Sequence, residues 1–99
     1  MSELELVKVL LVEDDADDYF LTRELFLEIK GRRFQLEWFK TYWMGLEAMA
    51  RNQHDICLVD YHLGAHNGIE LLREALANGC QSPVILLTGQ DEHQVDVRP

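Results

Sequence analysis

The sequence predicts a single α/β domain, built on a mostly parallel sheet with helices on both faces. Two observations predict it. Short, nearly unbroken apolar runs occur along the 99-residue chain, and such runs are typical of strands that are covered on both faces. Segments of helical periodicity separate these runs, as right-handed crossovers between parallel strands require. The predicted order is β-α-β-α-β-α-β, in one domain over residues 1–99.

The first predicted strand covers residues 7–12 (VKVLLV), and a helix follows over residues 16–30. The helix is predicted from apolar residues that recur at helical spacing, Phe20, Leu21, Leu25 and Ile29. We expect Gly31 to end this helix, because glycine readily adopts the left-handed conformation found after many helices.

The second strand is predicted over residues 34–39, and the second helix runs from Thr41 to about Asn52. Apolar residues that alternate with polar ones should face inward from the strand, namely Phe34, Leu36 and Trp38. The Thr41 hydroxyl is a suitable N-cap for the helix. The apolar stripe of this helix is predicted to contain Trp43, Leu46 and Met49 or Ala50.

The third strand is predicted over residues 56–60 and the fourth over residues 83–87 (PVILL). Between them lies a predicted helix over residues 68–78, which Gly79 should end. The residues expected to be buried on this helix are Ile69, Leu72 and Leu76.

The charge balance and hydropathy exclude some classes of function. The chain carries 18 acidic and nine basic side chains, for a formal charge of −9. Nucleic-acid backbones require lysine and arginine, so this segment is not expected to bind them. No run approaches the roughly 20 apolar residues of a membrane helix, and the start lacks the character of a secretory signal. We therefore expect a soluble protein of the cytoplasm.

The cysteines and histidines do not indicate a metal or redox site. Cys57 and Cys80 lack the paired spacing of zinc or redox motifs. Cys57 lies in an apolar strand and should be buried, whereas Cys80 lies in a predicted loop and should be an exposed thiol. The four histidines do not share the spacing of a helical metal site.

Polar residues stand at the carboxyl ends of three predicted strands. Glu13 and Asp14 follow the first strand, Asp60 ends the third, and Thr88 follows the fourth. Ligands of open parallel sheets bind at these ends, so the side chains should converge. Crowded carboxylates repel one another unless a cation lies among them, and hard oxygen ligands suit Mg²⁺. A carboxylate neutralised in this way can attack a phosphorus centre.

The remaining acids near the first strand have a simpler interpretation. Asp15, Asp17 and Asp18 are expected at a helix N-terminus, where acids cap free N–H groups and stabilise the helix dipole. A calcium-binding EF-hand loop that starts at Asp14 would need glycine at its sixth position and glutamate at its twelfth. Those positions hold Tyr19 and Leu25, so this motif is excluded.

Four segments resemble the receiver domains of two-component response regulators. Residues 9–15 (VLLVEDD) are similar to the first strand and acidic pair of that family. Residues 56–63 (ICLVDYHL) resemble the third strand with its phosphoacceptor aspartate, and residues 67–72 (NGIELL) the following turn and helix. Residues 83–89 (PVILLTG) resemble the fourth strand with its switch threonine.

The resemblance implies a flavodoxin-like doubly wound sheet of order 2-1-3-4, without the fifth strand and last helix of the family. Asp60 would accept a phosphoryl group from a phosphohistidine of a sensor histidine kinase or phosphotransfer protein. Glu13, Asp14, Asp60 and the backbone carbonyl of His62 would hold Mg²⁺, and Thr88 would act as the switch hydroxyl. The domain would not be an enzyme, beyond catalysing its own phosphorylation and dephosphorylation.

The sequence departs from the family pattern at three points. Gly64 replaces a frequent proline, and Asn67-Gly68 replaces a frequent Asp-Gly; both still make turns. Family members also carry a lysine at the end of a fifth strand, but the last lysine here is Lys40. The sequence would end before the fifth strand, leaving the fourth strand as an apolar edge. Self-association through that strand or the uncovered face is then expected.

Two alternatives stay open at this point. The segment could be a receiver-like docking or dimerising piece that is not phosphorylated. It could also belong to another α/β family of Mg²⁺-dependent phosphohydrolases. The second alternative is disfavoured, because such enzymes often carry a second aspartate two residues after the nucleophile, where this chain has His62.

Overall fold

The computed structural model describes residues 5–87, which form a four-stranded parallel sheet with three helices. The strands of the sheet are β1 (Leu6–Val12), β2 (Arg33–Phe39), β3 (Ile56–Asp60) and β6 (Val84–Leu87). The helices are α1 (Ala16–Glu28), α2 (Tyr42–Ala50) and α3 (Gly68–Ala77). A short antiparallel pair, β4 (His62–Leu63) and β5 (His66–Asn67), lies between β3 and α3.

The order of the sheet is β2-β1-β3-β6, so the predicted order 2-1-3-4 is confirmed. Each predicted strand and helix is present, with ends that differ by a few residues. Helix α1, for example, ends at Glu28 because Ile29 is already extended. Gly31, at φ +89°, shapes the turn that follows. Among the described residues, no helix is long and apolar enough to cross a membrane.

The core lies on both faces of the sheet, and β1 contributes to each. Leu10 and Val12 point toward α2 and α3, whereas Val9 and Leu11 point toward α1. All four side chains are fully buried. Successive residues of a strand face opposite sides, so an uninterrupted apolar strand can serve two cores at once.

The helix ends use the caps that their sequences predict. The Oγ1 of Thr41 accepts a hydrogen bond from the backbone N–H of Met44 at 3.1 Å. The Oδ1 of Asp15 accepts from the N–H of Asp17 at 2.8 Å, so Asp15 is the N-cap of α1. These bonds satisfy N–H groups that have no partner within the helix.

The buried faces of two helices differ from the prediction. On α3 the buried residues are Gly68, Leu71 and Ala75, whereas Ile69 and Leu76 are exposed and Leu72 is half-buried. The reciprocal capping box of Asn67 and Glu70 fixes where α3 begins. Leu71 and Ala75 are four residues apart and share one face of the helix, which packs into the core with β1, β3 and α2. On α2, Leu46 is buried as predicted, and of the two alternatives Met49 and Ala50 it is Met49 that is buried; Trp43 is exposed, contrary to the prediction.

The predicted apolar stripe of α1 is also exposed in the structure. Phe20, Leu21 and Leu25 each leave at least half of their surface open, and Ile29 beyond the helix is exposed as well. The sheet is instead contacted by Tyr19 and Phe26, which lie seven residues, or two turns, apart on α1.

Cys80 is buried, with 6% of its surface exposed, so the prediction of an exposed thiol was wrong. Its backbone N–H donates to the carbonyl of Ala75 at 2.9 Å, which turns the chain inward after Gly79. Its thiol then lies against that of Cys57, which is buried as predicted. Burial raises the pKa of the Cys57 thiol to about 12.

Gly45 provides a test of the packing between α2 and β1. A Cβ atom at Gly45 would lie 2.5 Å from Cγ2 of Val12, a buried and rotationally stiff side chain. We expect Gly45→Ala to lower the free energy of unfolding by about 1–3 kcal/mol, because overpacking outweighs the higher helix propensity of alanine. Urea denaturation measures this change.

The same substitution in a Val12→Ala background is the control. The two contacts with the γ carbons are absent there and only Cβ of residue 12, at 3.3 Å, remains close, so Gly45→Ala should destabilise that background much less than the native protein. A change of the same sign and size in both backgrounds would show that Val12 is not the cause.

Candidate functional site

Three carboxylates meet at the carboxyl end of the sheet. Strands β1 and β3 are parallel neighbours in which Val12 pairs with Val59, so Glu13 and Asp60 follow at the same level. Oxygen atoms of Glu13, Asp14 and Asp60 all lie within 4.8 Å of one another. The structure therefore brings together the acids that sequence analysis places at neighbouring strand ends.

Two of these acids are buried, which is unusual for carboxylates. Glu13 exposes 2% of its surface and Asp60 exposes 7%, whereas Asp14 is exposed. Burial, followed by the charge of Asp60, raises the pKa of Glu13 to about 8. Burial also raises the pKa of Asp60 to about 6, with the charge of Asp14 adding to the effect and a backbone hydrogen bond opposing it. The site thus resists full ionisation without a positive partner.

Backbone N–H groups orient all three carboxylates. The Oδ2 of Asp60 accepts from the N–H of His62 at 3.1 Å, and the Oδ2 of Asp14 accepts from the N–H of Gly64 at 3.2 Å. A longer bond of 3.4 Å joins the N–H of Asp15 to Oε2 of Glu13. These bonds leave carboxylate oxygens available to a ligand.

Within residues 5–87, none of the ion pairs involves a carboxylate of this cluster. The donor set is made of hard oxygen atoms on one exposed and two buried acids. Such a set fits a hard divalent cation that retains several waters, as Mg²⁺ does. The residues present therefore suit the ion that the sequence predicts.

The loop after β3 folds back against Asp60. The N–H of Tyr61 donates to the carbonyl of Leu87 at 2.9 Å, and the N–H of Gly68 donates to the carbonyl of Tyr61 at 2.8 Å. A Cβ atom at Gly68 would lie 2.7 Å from the carbonyl oxygen of Asp60. Glycine is thus required there if α3 is to begin this close to the acid.

An aromatic support under the first acidic pair was missed by sequence analysis. The indole Nε1 of Trp38 donates to the backbone carbonyl of Glu13 at 2.7 Å. The ring of Tyr19 stacks on Trp38 with centroids 4.0 Å apart and planes 5° apart. The sequence indicates only that Trp38 faces inward, because the contact depends on the register of β2 against β1.

Two predicted site residues are only partly located by the structure. His62 lies beside Asp60, and the contact described is made by its backbone N–H, so the metal-binding role of its carbonyl stays a prediction. Thr88 lies outside the described residues. It directly follows β6, whose Leu87 pairs with Asp60.

Comparisons with known proteins identify relatives of this chain. The family model of the response regulator receiver domain matches residues 9–98. The transcriptional regulatory protein RprY of Bacteroides fragilis (strain YCH46) is 31% identical over 86 residues, which make up 87% of this chain and 35% of that protein. The uncharacterized transcriptional regulatory protein YkoG of Bacillus subtilis (strain 168) is 32% identical over 88 residues, or 89% of this chain and 37% of that protein.

Solved structures of a response regulator and of a receiver domain also resemble this chain. The MaeR response regulator bound to beryllium trifluoride has a TM-score of 0.72 and 26% identity, over 87% of this chain and 70% of that one. The receiver domain of the sensor histidine kinase PA1611 from Pseudomonas aeruginosa PAO1, with a coordinated magnesium ion, has a TM-score of 0.74 and 22% identity. It matches over 90% of this chain and 72% of that one. At this identity the similarity supports a shared fold and nothing further.

The curated relatives are longer proteins, and this chain spans just over a third of their length. The match to the family model nevertheless covers almost the whole chain, including the three carboxylates and the strands that position them. The chain belongs to the family of response regulator receiver domains of two-component signalling systems.

Proposed function

We propose that this chain is a Mg²⁺-dependent phosphoacceptor domain, in which Asp60 receives a phosphoryl group from a phosphohistidine. The donor is a sensor histidine kinase or a phosphotransfer protein, and the site of action is the cytoplasm. One observation carries the proposal: Asp60 is a buried carboxylate that ends a central strand within 4.8 Å of two further acids. A buried acid in such repulsive surroundings lowers the stability of the fold unless a cation pairs with it, and groups of this kind are typical of functional sites.

The hydrogen bonds of Asp60 suggest which of its oxygen atoms reacts. Its Oδ2 is held by the N–H of His62, and we assign Oδ1 as the nucleophile. A bond forms from Oδ1 to phosphorus while the bond from phosphorus to the donor imidazole nitrogen breaks. The imidazole leaves with that electron pair and takes up a proton, and Asp60 becomes an acyl phosphate.

Glu13, Asp14 and Asp60, with the backbone carbonyl of His62, would hold the metal ion. A bound Mg²⁺ would offset the negative charge that otherwise keeps a phosphoryl group away from three carboxylates. The related PA1611 receiver domain has a magnesium ion coordinated in its active site cleft, which supports this assignment. The hydroxyl of Thr88 is assigned as the donor to a phosphoryl oxygen and as the switch.

The domain is a signalling module and not an enzyme with a separate substrate; we assign to it only the formation and hydrolysis of its own acyl phosphate. Its output depends on other domains or partners. Self-association belongs to the same proposal, because β6 is the outer strand of the described sheet and Ile85 on it is exposed.

Phosphorylation of Asp60 is tested by intact mass after incubation with Mg²⁺ and acetyl phosphate. The protein should gain one phosphoryl group that hydroxylamine removes, and Asp60→Asn should gain none. Asp17→Asn, which neutralises an exposed acid of α1, is the matched control and should be phosphorylated normally. A folded protein that gains no phosphoryl group would favour a docking or dimerising role for this chain.

The raised pKa of Glu13 predicts a pH dependence of stability in the presence of a chelator. The folded protein holds this proton up to about pH 8, whereas the ordinary glutamate value is 4.5. Stability should therefore fall as the pH rises through that window, because the unfolded chain ionises first. We expect the contribution of Glu13 to this fall in the free energy of unfolding to be on the order of 2–4 kcal/mol, and Glu13→Gln should remove it. Urea unfolding between pH 5 and about 9 measures the change.

Glu47→Gln, on an exposed acid of α2, is the control and should retain the full pH dependence. Adding Mg²⁺ at high pH should restore stability to the native protein and much less to Glu13→Gln, because a ligand stabilises the state that binds it. Equal stabilisation of both proteins by Mg²⁺ would place the ion elsewhere.

Self-association is tested by light scattering over a wide concentration range. We expect the mass to rise with concentration, and Ile85→Lys on β6 should reduce this rise because a charge disfavours pairing of strand edges. A monomer at every concentration would contradict the proposal.

A further inference from the structure

A groove with a basic rim lies at the end of the sheet opposite the carboxylates. It is formed by the second half of α1 and the beginning of β2, with a volume of about 410 Å³. Three arginines line it, Arg23, Arg32 and Arg33, and we call it the arginine groove. Arg33 begins β2, and β1 and β2 are each seven residues long, so the arginine end of the groove lies about 20 Å from the carboxyl ends of these strands. The groove also extends along α1 to Tyr19.

The charge of the groove is opposite to that of the rest of the chain. The protein has nine basic residues and a net charge of −9, yet three of the nine lie in this one groove. Among residues 5–87, Arg32 and Arg33 form no ion pair, and Arg23 has only a contact of 3.9 Å with Glu24, between two exposed side chains. The groove is therefore a local positive site on an acidic surface.

The floor of the groove is apolar. The rings of Phe26 and Phe34 meet there with centroids 4.8 Å apart. Leu27, 67% exposed, and Ile29, 47% exposed, extend this surface toward solvent. Exposed apolar groups that adjoin one another and are bordered by charge are typical of binding surfaces.

The geometry points to the arginine groove as a docking site for an acidic segment of a partner protein that also carries apolar side chains. Carboxylates of the segment would pair with the guanidinium groups of the rim, while its apolar side chains would cover Phe26, Phe34 and Leu27. The residues that line the groove do not include Glu13, Asp14 or Asp60, so binding of the segment does not require phosphorylation of Asp60.

A protein segment fits the groove better than a nucleic acid or a membrane does. The net charge of −9 repels extended polyanions over long range, whereas a short acidic segment meets chiefly the local charge of the rim. The concave, aromatic floor is also suited to side chains and not to a flat layer of headgroups.

The test measures fluorescence anisotropy of a labelled short peptide in which glutamate alternates with leucine and phenylalanine. The full chain should bind it saturably, and added salt should weaken binding. Arg32→Glu/Arg33→Glu should weaken binding about tenfold or more, because attraction becomes repulsion at two positions. The variant Arg32→Lys/Arg33→Lys keeps the positive charges and should retain most of the affinity for the peptide.

The matched control is Arg51→Glu/Arg73→Glu, which makes the same change of net charge at two exposed sites, the C-cap of α2 and the middle of α3. It should weaken binding much less, and Asp60→Asn should not change it. Circular dichroism confirms that each variant is folded. If Asp60→Asn, which cannot be phosphorylated at this position, still binds the peptide, the docking site does not depend on the proposed phosphorylation. The two proposals can therefore fail separately.

Three results would overturn the inference. One is the absence of saturable binding of the acidic peptide to the native chain. Another is equal weakening by the two glutamate double variants, which would show that only net charge matters. The third is arginine-dependent binding of phosphatidylserine vesicles without binding of the peptide, which would identify the groove as a membrane contact.

Discussion

Repulsion among three carboxylates is the constraint on which the acidic end of this protein depends. Glu13, Asp14 and Asp60 lie within 4.8 Å of one another, and two of them are buried. They stay together because β1 and β3 are adjacent parallel strands whose side chains form both cores. The hydrophobic free energy of these strands offsets the electrostatic cost, and this cost makes the cluster receptive to a cation.

The neighbouring structure limits the movement of these acids. Trp38 holds the backbone of Glu13 from one side, and Gly68 allows α3 to begin against the backbone of Asp60 on the other. Backbone N–H groups fix one oxygen on each of the three carboxylates. A site on strand ends with such support is more precise than one on long loops, because packing fixes its members in place.

The two ends of the sheet differ in charge and in shape. The carboxyl end gathers acids around Asp60, whereas the other end gathers arginines above an aromatic floor. Parallel strands create this polarity, since all their carboxyl ends meet at one edge. The proposed phosphorylation site and the proposed docking groove therefore involve different sets of residues.

The sequence by itself determined the element order, the parallel sheet and the convergence of the acids, because periodicity reports burial and parallel strand ends must meet. Only the tertiary structure decided which helix faces are buried. Leu71 and Ala75 face the sheet in place of Ile69 and Leu76, because they pack into the core that β1, β3 and α2 form. The burial of Cys80 and the bond from Trp38 to Glu13 were likewise decided by packing and register. Such contacts join residues distant in sequence, and no local pattern specifies them.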